Sequence, residues 1–187
     1  MRLFLPIFLV LASSCGSAGG ASTFVGSVEG TDIKVGLVTD GGKAALFFCG
    51  GPSSFTQSTR WFRGDGAPSA ISFTSANWAA SGSANGELAS GMVNPGIGSS
   101  LRWTAKRVSE DGLPGLYEST TDPDGTAGVV VLDESTMQGA MLPKGSTATS
   151  VQQIVPILPI TRSPDGIRVT VNGATAREIK VVRTRAR

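Results

Sequence analysis

Leu101-Arg102-Trp103-Thr104-Ala105-Lys106 alternates apolar and polar residues without a break. Successive side chains of an extended chain point to opposite faces, so this hexapeptide reads as a half-buried antiparallel strand with Leu101, Trp103 and Ala105 inward. Ile167, Val169 and Val171 repeat the pattern against Arg168, Thr170 and Asn172. Val129-Val130-Val131-Leu132 and Ala44-Ala45-Leu46-Phe47-Phe48 are instead apolar throughout, which suits strands covered on both faces. Seven Asp-Gly or Asn-Gly pairs punctuate the chain, beginning at Asp40, Asp65, Asn85, Asp111, Asp124, Asp165 and Asn172. Such pairs tolerate positive φ and suit tight hairpin turns.

Working outward from these marks, strands are expected at Phe24 to Val28, Ile33 to Thr39, Lys43 to Cys49, Ala70 to Ser75, Glu87 to Val93, Ser100 to Val108, Gly115 to Thr120, Ala127 to Asp133, Met137 to Leu142, Ile167 to Val171 and Glu178 to Arg183. The 25 glycines and 10 prolines in 187 residues argue against a helical protein and show no collagen-like period. No helical periodicity extends over ~12 residues, so any helix is short, with residues 150–155 the candidate. The fold class expected is all-β, an antiparallel meander closing as a β-barrel or a sandwich. Residues 24–143 form its nine-strand body. Residues 144–166, with Pro156, Pro159 and Pro164, read as a linker. Residues 167–187 read as a C-terminal hairpin turned at Asn172-Gly173, packed on the body because two strands alone are marginal in water.

The N-terminus has a different character. Arg2 supplies a positive start, Leu3 to Leu11 an apolar run, and Ala12-Ser13-Ser14 the small residues of a cleavage site, so residues 1–14 read as an export signal. The run is well below the ~20 residues that span a bilayer. Leu11-Ala12-Ser13-Ser14-Cys15 resembles the end of the signal in bacterial lipoproteins, where a short apolar and small-residue box precedes a cysteine that is lipidated and becomes the mature N-terminus. That resemblance implies lipidation of Cys15, a flexible tether over residues 15–23 and attachment to a membrane of the cell envelope. The other reading is an ordinary cleavage after Ala18 or Ala21 that leaves a secreted or periplasmic protein. Both place the protein outside the cytoplasm.

Charge is unevenly spread. Residues 16–143 carry seven basic and twelve acidic side chains, a net −5, whereas residues 144–187 carry eight and two, a net +6. Arg183, Arg185 and Arg187 alternate with Val182, Thr184 and Ala186, so an extended tail would offer three guanidinium groups to an anionic wall polymer or lipid surface. Export makes nucleic acid an improper partner.

Several chemistries are excluded by residue type. The chain has no histidine, which removes Ser-His and Cys-His pairs and histidine-containing metal sites. Cys49, at the end of Leu46-Phe47-Phe48-Cys49, reads as a buried core thiol. Asp122-Pro123-Asp124-Gly125 lacks the third ligand and the twelfth-position glutamate of a calcium loop. Five of the eight aspartates belong to Asp-Gly turns, leaving little for paired-carboxylate catalysis. No cofactor or metal is expected.

Arg60-Trp61-Phe62-Arg63 is the sharpest candidate for recognition, because arginines flanking aromatics combine the residue types that dominate binding hot spots. The competing reading plugs Trp61 or Phe62 into the core. The function expected is a non-catalytic envelope lipoprotein with a binding, inhibitory or structural role toward an envelope protein or surface. The alternative is a calycin-like carrier with a dry cavity lined by Phe47, Trp61, Trp78 and Trp103. Third comes a histidine-independent hydrolase using carboxylates, serine, lysine or Tyr117.

Overall fold

A computed structural model describes residues 20–96, 98–119, 125–145, 150–172 and 177–186. The signal segment, Cys15, most of the expected tether, the Asp122 to Asp124 turn and Arg187 lie outside the described residues. The fold is all-β and antiparallel, in two units that follow one another along the chain.

The first unit contains β1 (Ser22–Val28), β2 (Lys34–Asp40), β3 (Lys43–Cys49), β4 (Arg60–Asp65), β5 (Ile71–Ser75), β6 (Trp78–Asn85), β7 (Leu88–Asn94) and β8 (Leu101–Val108). They form one sheet in the order β4-β3-β2-β1-β8-β7-β6-β5. The sheet curls until its edge strands β4 and β5 approach one another, with a single bridge between Ala67 and Ala70 beside them, giving a nearly closed barrel. The second unit is a closed six-stranded barrel of β9 (Gly115–Ser119), β10 (Gly125–Val131), β11 (Met137–Pro143), β12 (Gln152–Pro156), β13 (Ile167–Asn172) and β14 (Arg177–Arg183), with β14 returning to pair with β9. The described residues contain one α-helix, α1 (Phe55–Ser58), between β3 and β4.

Each unit has its own filling. The first is aromatic: Phe24, Phe48, Phe62, Phe73, Trp78 and Trp103 converge with Leu37 and Leu46. Phe48 meets Phe62 edge-on at 6.0 Å and Trp103 at 6.4 Å, the geometry that ring quadrupoles favour. The second is mostly β-branched, with Val129, Val131, Ile154, Ile167, Val169, Val171, Ile179 and Val181 around Tyr117 and Met141. Such side chains are stiff at χ1 and pack well on a pleated surface.

A third apolar cluster lies between the units and joins Val25, Val38, Phe47 and Cys49 of the first to Leu116, Val130 and Ala140 of the second. The two uninterrupted apolar runs meet here. Leu46 and Phe48 face the first core while Phe47 faces the junction; Val129 and Val131 face the barrel interior while Val130 faces the junction. The approach is close enough to need glycine twice. A Cβ at Gly36 would stand 2.9 Å from Leu116 Cδ1, and one at Gly128 would stand 2.8 Å from Phe47 Cζ and from Trp61 Cζ2.

Several expectations are corrected. Residues 151–155 are not helical: β12 occupies 152–156 and pairs with β11 and β13. The expected linker therefore contains a barrel strand, and the C-terminal hairpin is part of that barrel rather than an appendage. Pro156 sits at the end of β12, where a missing N–H costs least. The nine-strand body gains β4 and β6 and divides between the units at the 109–114 connection. The tether is shorter than expected, since β1 already begins at Ser22.

Candidate functional site at the junction cleft

β4 carries the recognition candidate, and its period of two splits it. Phe62 points into the first core, 3% exposed and stacked on Phe73 at 6.0 Å. Trp61 and Arg63 face the junction. The Trp61 ring, half-buried, stacks on Phe47 with 4.5 Å between centroids, and the Arg63 guanidinium lies 4.1 Å from the centre of the Trp61 ring. Arg63 Nη2 then donates to Glu118 Oε2 at 2.5 Å. The Glu118 side chain, on β9, is 3% exposed, so this ion pair ties the units together in a largely dry setting.

Arg60 opens β4 and behaves differently. Its guanidinium lies 5.5 Å from the centre of the Trp78 ring, and its Nε is buried with no hydrogen-bond partner among the described residues. Arg60 thus shares the Trp78 face of β4, and a cleft of about 210 Å³ reaches round the edge of that strand from Arg60 and Ser75 of β5 to Phe47 and Trp61, with Thr126, Ala140 and Leu142 of β10 and β11 opposite. Gly128 lies beneath the rings of Phe47 and Trp61 and sets how deeply they sink toward β10.

The four aromatics of the carrier reading do not share a cavity. Trp78 and Trp103 belong to the packed first core, whereas Phe47 and Trp61 stand on the other face of the same sheet.

Other polar groups are engaged in holding the fold. Arg183 donates through Nη1 to the carbonyls of Ser109 and Glu110 at 3.1 and 3.0 Å and through Nη2 to that of Pro114, with its guanidinium 5.5 Å from the Tyr117 ring centre. Arg162 donates to the carbonyls of Glu110 and Gly112 at 2.7 and 2.8 Å. Both arginines therefore fix the 109–114 connection. The basic tail is correspondingly divided, with Arg183 turned onto backbone and Arg185 exposed. Burial pushes the Tyr117 phenol up, against the opposing field of Arg183 and Arg162, and its hydroxyl donates to the Leu113 carbonyl at 2.6 Å.

Asp32 accepts from Ser53 N and Oγ at 2.9 and 2.6 Å and from Ser54 Oγ at 2.5 Å. These donors hold its carboxyl at about 2, which makes it a poor base for activating either serine near neutral pH. Gln138 Nε2 of β11 donates to the carbonyls of Asp32 at 3.1 Å and Cys49, a further tie across the junction. The Cys49 thiol, fully buried, is pushed up to about 12 by desolvation and is unreactive at neutral pH.

Glu118, Gly128, Ala140 and Leu142 complete the junction and were not singled out by the sequence. The available signals were Glu118 inside the strand segment Gly-Leu-Tyr-Glu-Ser and Gly128 inside an otherwise apolar strand, which marks close approach of another chain segment. Comparison of the chain with protein-family models, with curated proteins and with solved structures gives no match.

Proposed function

We propose that the protein is an exported, non-catalytic binding module of the cell envelope, held at a membrane by a lipid on Cys15 and acting through the cleft between its two β units. The export signal and the lipoprotein-like Leu11 to Cys15 support the location. The observation that carries the binding role is the cleft itself, where a half-exposed tryptophan and an arginine without an anionic partner among the described residues border an apolar recess. In contrast, Arg63, Arg183 and Asp32 are engaged with other groups of the chain.

Fractionation of cells producing the full chain tests the tethered reading. The parent is expected in membranes after a salt wash, and Cys15→Ser is expected in the soluble fraction or as an uncleaved precursor. Salt-resistant membrane association of a processed Cys15→Ser protein equal to the parent's would overturn it.

A further inference from the structure

We infer that the junction cleft takes an apolar carboxylate, with the anionic end on Arg60 and the apolar end over Phe47, Trp61 and Leu142; this deepens the reading of the cleft as the binding site and depends on it. Arg60 is a permanent cation. Its Nε is buried and unpartnered among the described residues, and the Trp78 face offers it a favourable quadrupole but no acceptor. A buried donor left unmade is costly, and a charged one more so; Arg183 Nε is likewise buried without a partner, but the Nη1 and Nη2 of that residue reach the carbonyls of Ser109, Glu110 and Pro114, whereas the Arg60 guanidinium has no hydrogen bond or ion pair among the described residues. Arg63, three residues along the same strand, shows the contrast: it has the Glu118 carboxylate at 2.5 Å.

The walls determine the rest of the ligand. None of the residues lining the cleft is acidic, and of its three hydroxyl residues, Thr59, Ser75 and Thr126, the one next to Arg60 already donates to the Phe55 carbonyl at 2.7 Å and accepts from Gly50 N at 3.2 Å. A guanidinium presents parallel donors that match the two oxygens of a carboxylate. The apolar surface of Phe47, Trp61, Ala140 and Leu142 favours a hydrocarbon or ring over a polar chain. Size sets an upper bound. A dry cavity of ~150 Å³ takes a benzene ring and drug-sized sites start near ~300 Å³, so about 210 Å³ suits one ring or a short acyl chain.

Calorimetric titration of the full chain carrying Cys15→Ser, in detergent-free buffer, tests the assignment with octanoate below its micelle concentration, 1-octanol and acetate. Octanoate is expected to bind saturably at one site, at least tenfold tighter than 1-octanol, with acetate showing no heat. Arg60→Gln should bring octanoate to the affinity of 1-octanol, and Leu142→Ser should weaken both. Equal affinity for octanoate and 1-octanol in the parent, or an unchanged octanoate affinity in Arg60→Gln, overturns the carboxylate assignment while leaving the cleft as a site. Binding of neither compound overturns the assignment and the cleft reading together. The octanoate to 1-octanol ratio of the parent decides the matter even if Arg60→Gln fails to fold.

Discussion

The two β units solve the same problem with different materials. The eight-stranded sheet leaves its edges unjoined and fills its interior with rings, whereas the six-stranded barrel closes completely and is filled mostly by β-branched aliphatics around Tyr117 and Met141. A wider enclosure holds more volume, and aromatic side chains supply it with the fewest residues. The narrower barrel takes one such ring among the described residues, Tyr117. The junction lies where the two meet: β3 and β4 of the wide sheet project Phe47 and Trp61 outward, and β10 of the narrow barrel receives them over Gly128.

The largest effect expected from this contrast is in the first core. Trp103, fully buried, should cost about 3–5 kcal/mol when replaced by alanine, while Ile167→Val in the barrel should cost only about 0.5–1.5 kcal/mol, both read by urea denaturation. A Trp103→Ala loss below about 1 kcal/mol would mean that the wide sheet is not packed as a core.

The next effect sharpens the comparison at the junction. Arg63→Ala leaves the Glu118 carboxylate buried without its partner, and the expected loss is about 3 kcal/mol, at the low end for a broken buried pair because the Arg63 side chain is itself 30% exposed. Glu118→Gln in the same background should recover part of that loss. No recovery would show that the pair is not coupled.

Trp61→Ala comes third. A fully buried tryptophan costs about 3–5 kcal/mol on truncation, and half-burial against Phe47 predicts about half of that, roughly 2 kcal/mol, in thermal melting. A value near zero would place the ring on a free surface, and one above about 4 kcal/mol would make it core.

The smallest effect is acid lability of the loop before β4. The folded-state Asp32 carboxyl stands at about 2, below its ordinary 3.8, so its contribution is complete above the ordinary value and is lost as pH falls through about 2. Because the group is only partly buried and solvent screens it, the loss should be small. Asp32→Asn should flatten the stability profile between about pH 4 and pH 2, and a parallel slope in both proteins would remove Asp32 from the account.

Much of this contrast was legible in residue order, and the failures have physical causes. Alternation at Leu101 to Lys106 and Ile167 to Asn172 gave the correct faces for β8 and β13 because one side of each strand meets a core. The unbroken apolar runs correctly marked doubly covered strands, but not that the second cover was another barrel. β6 escaped notice because Ala79, Ser81, Gly82 and Ser83 dilute its pattern and its entry turn uses Ala76, at φ 53°, where a glycine was the expected mark. β12 was hidden by two glutamines and a proline in five residues. Arg60 to Arg63 was singled out for its residue types and not as a strand, and its side chains were grouped together although adjacent residues of β4 serve opposite faces. The cleft itself was not readable, since Thr126, Ala140 and Leu142 reach Trp61 only through the docking of two sheets.

The junction is expected to couple the two units into one cooperative body, and the chain provides separate reporters for that coupling. All three tryptophans, Trp61, Trp78 and Trp103, lie in the first unit, and the single tyrosine, Tyr117, lies in the second. Urea unfolding followed by tryptophan fluorescence and by the resonance of a fluorotyrosine at 117 should give coincident midpoints. Two separated transitions in the parent protein, with the tyrosine signal unchanged while the tryptophan signal is lost or the reverse, would contradict it.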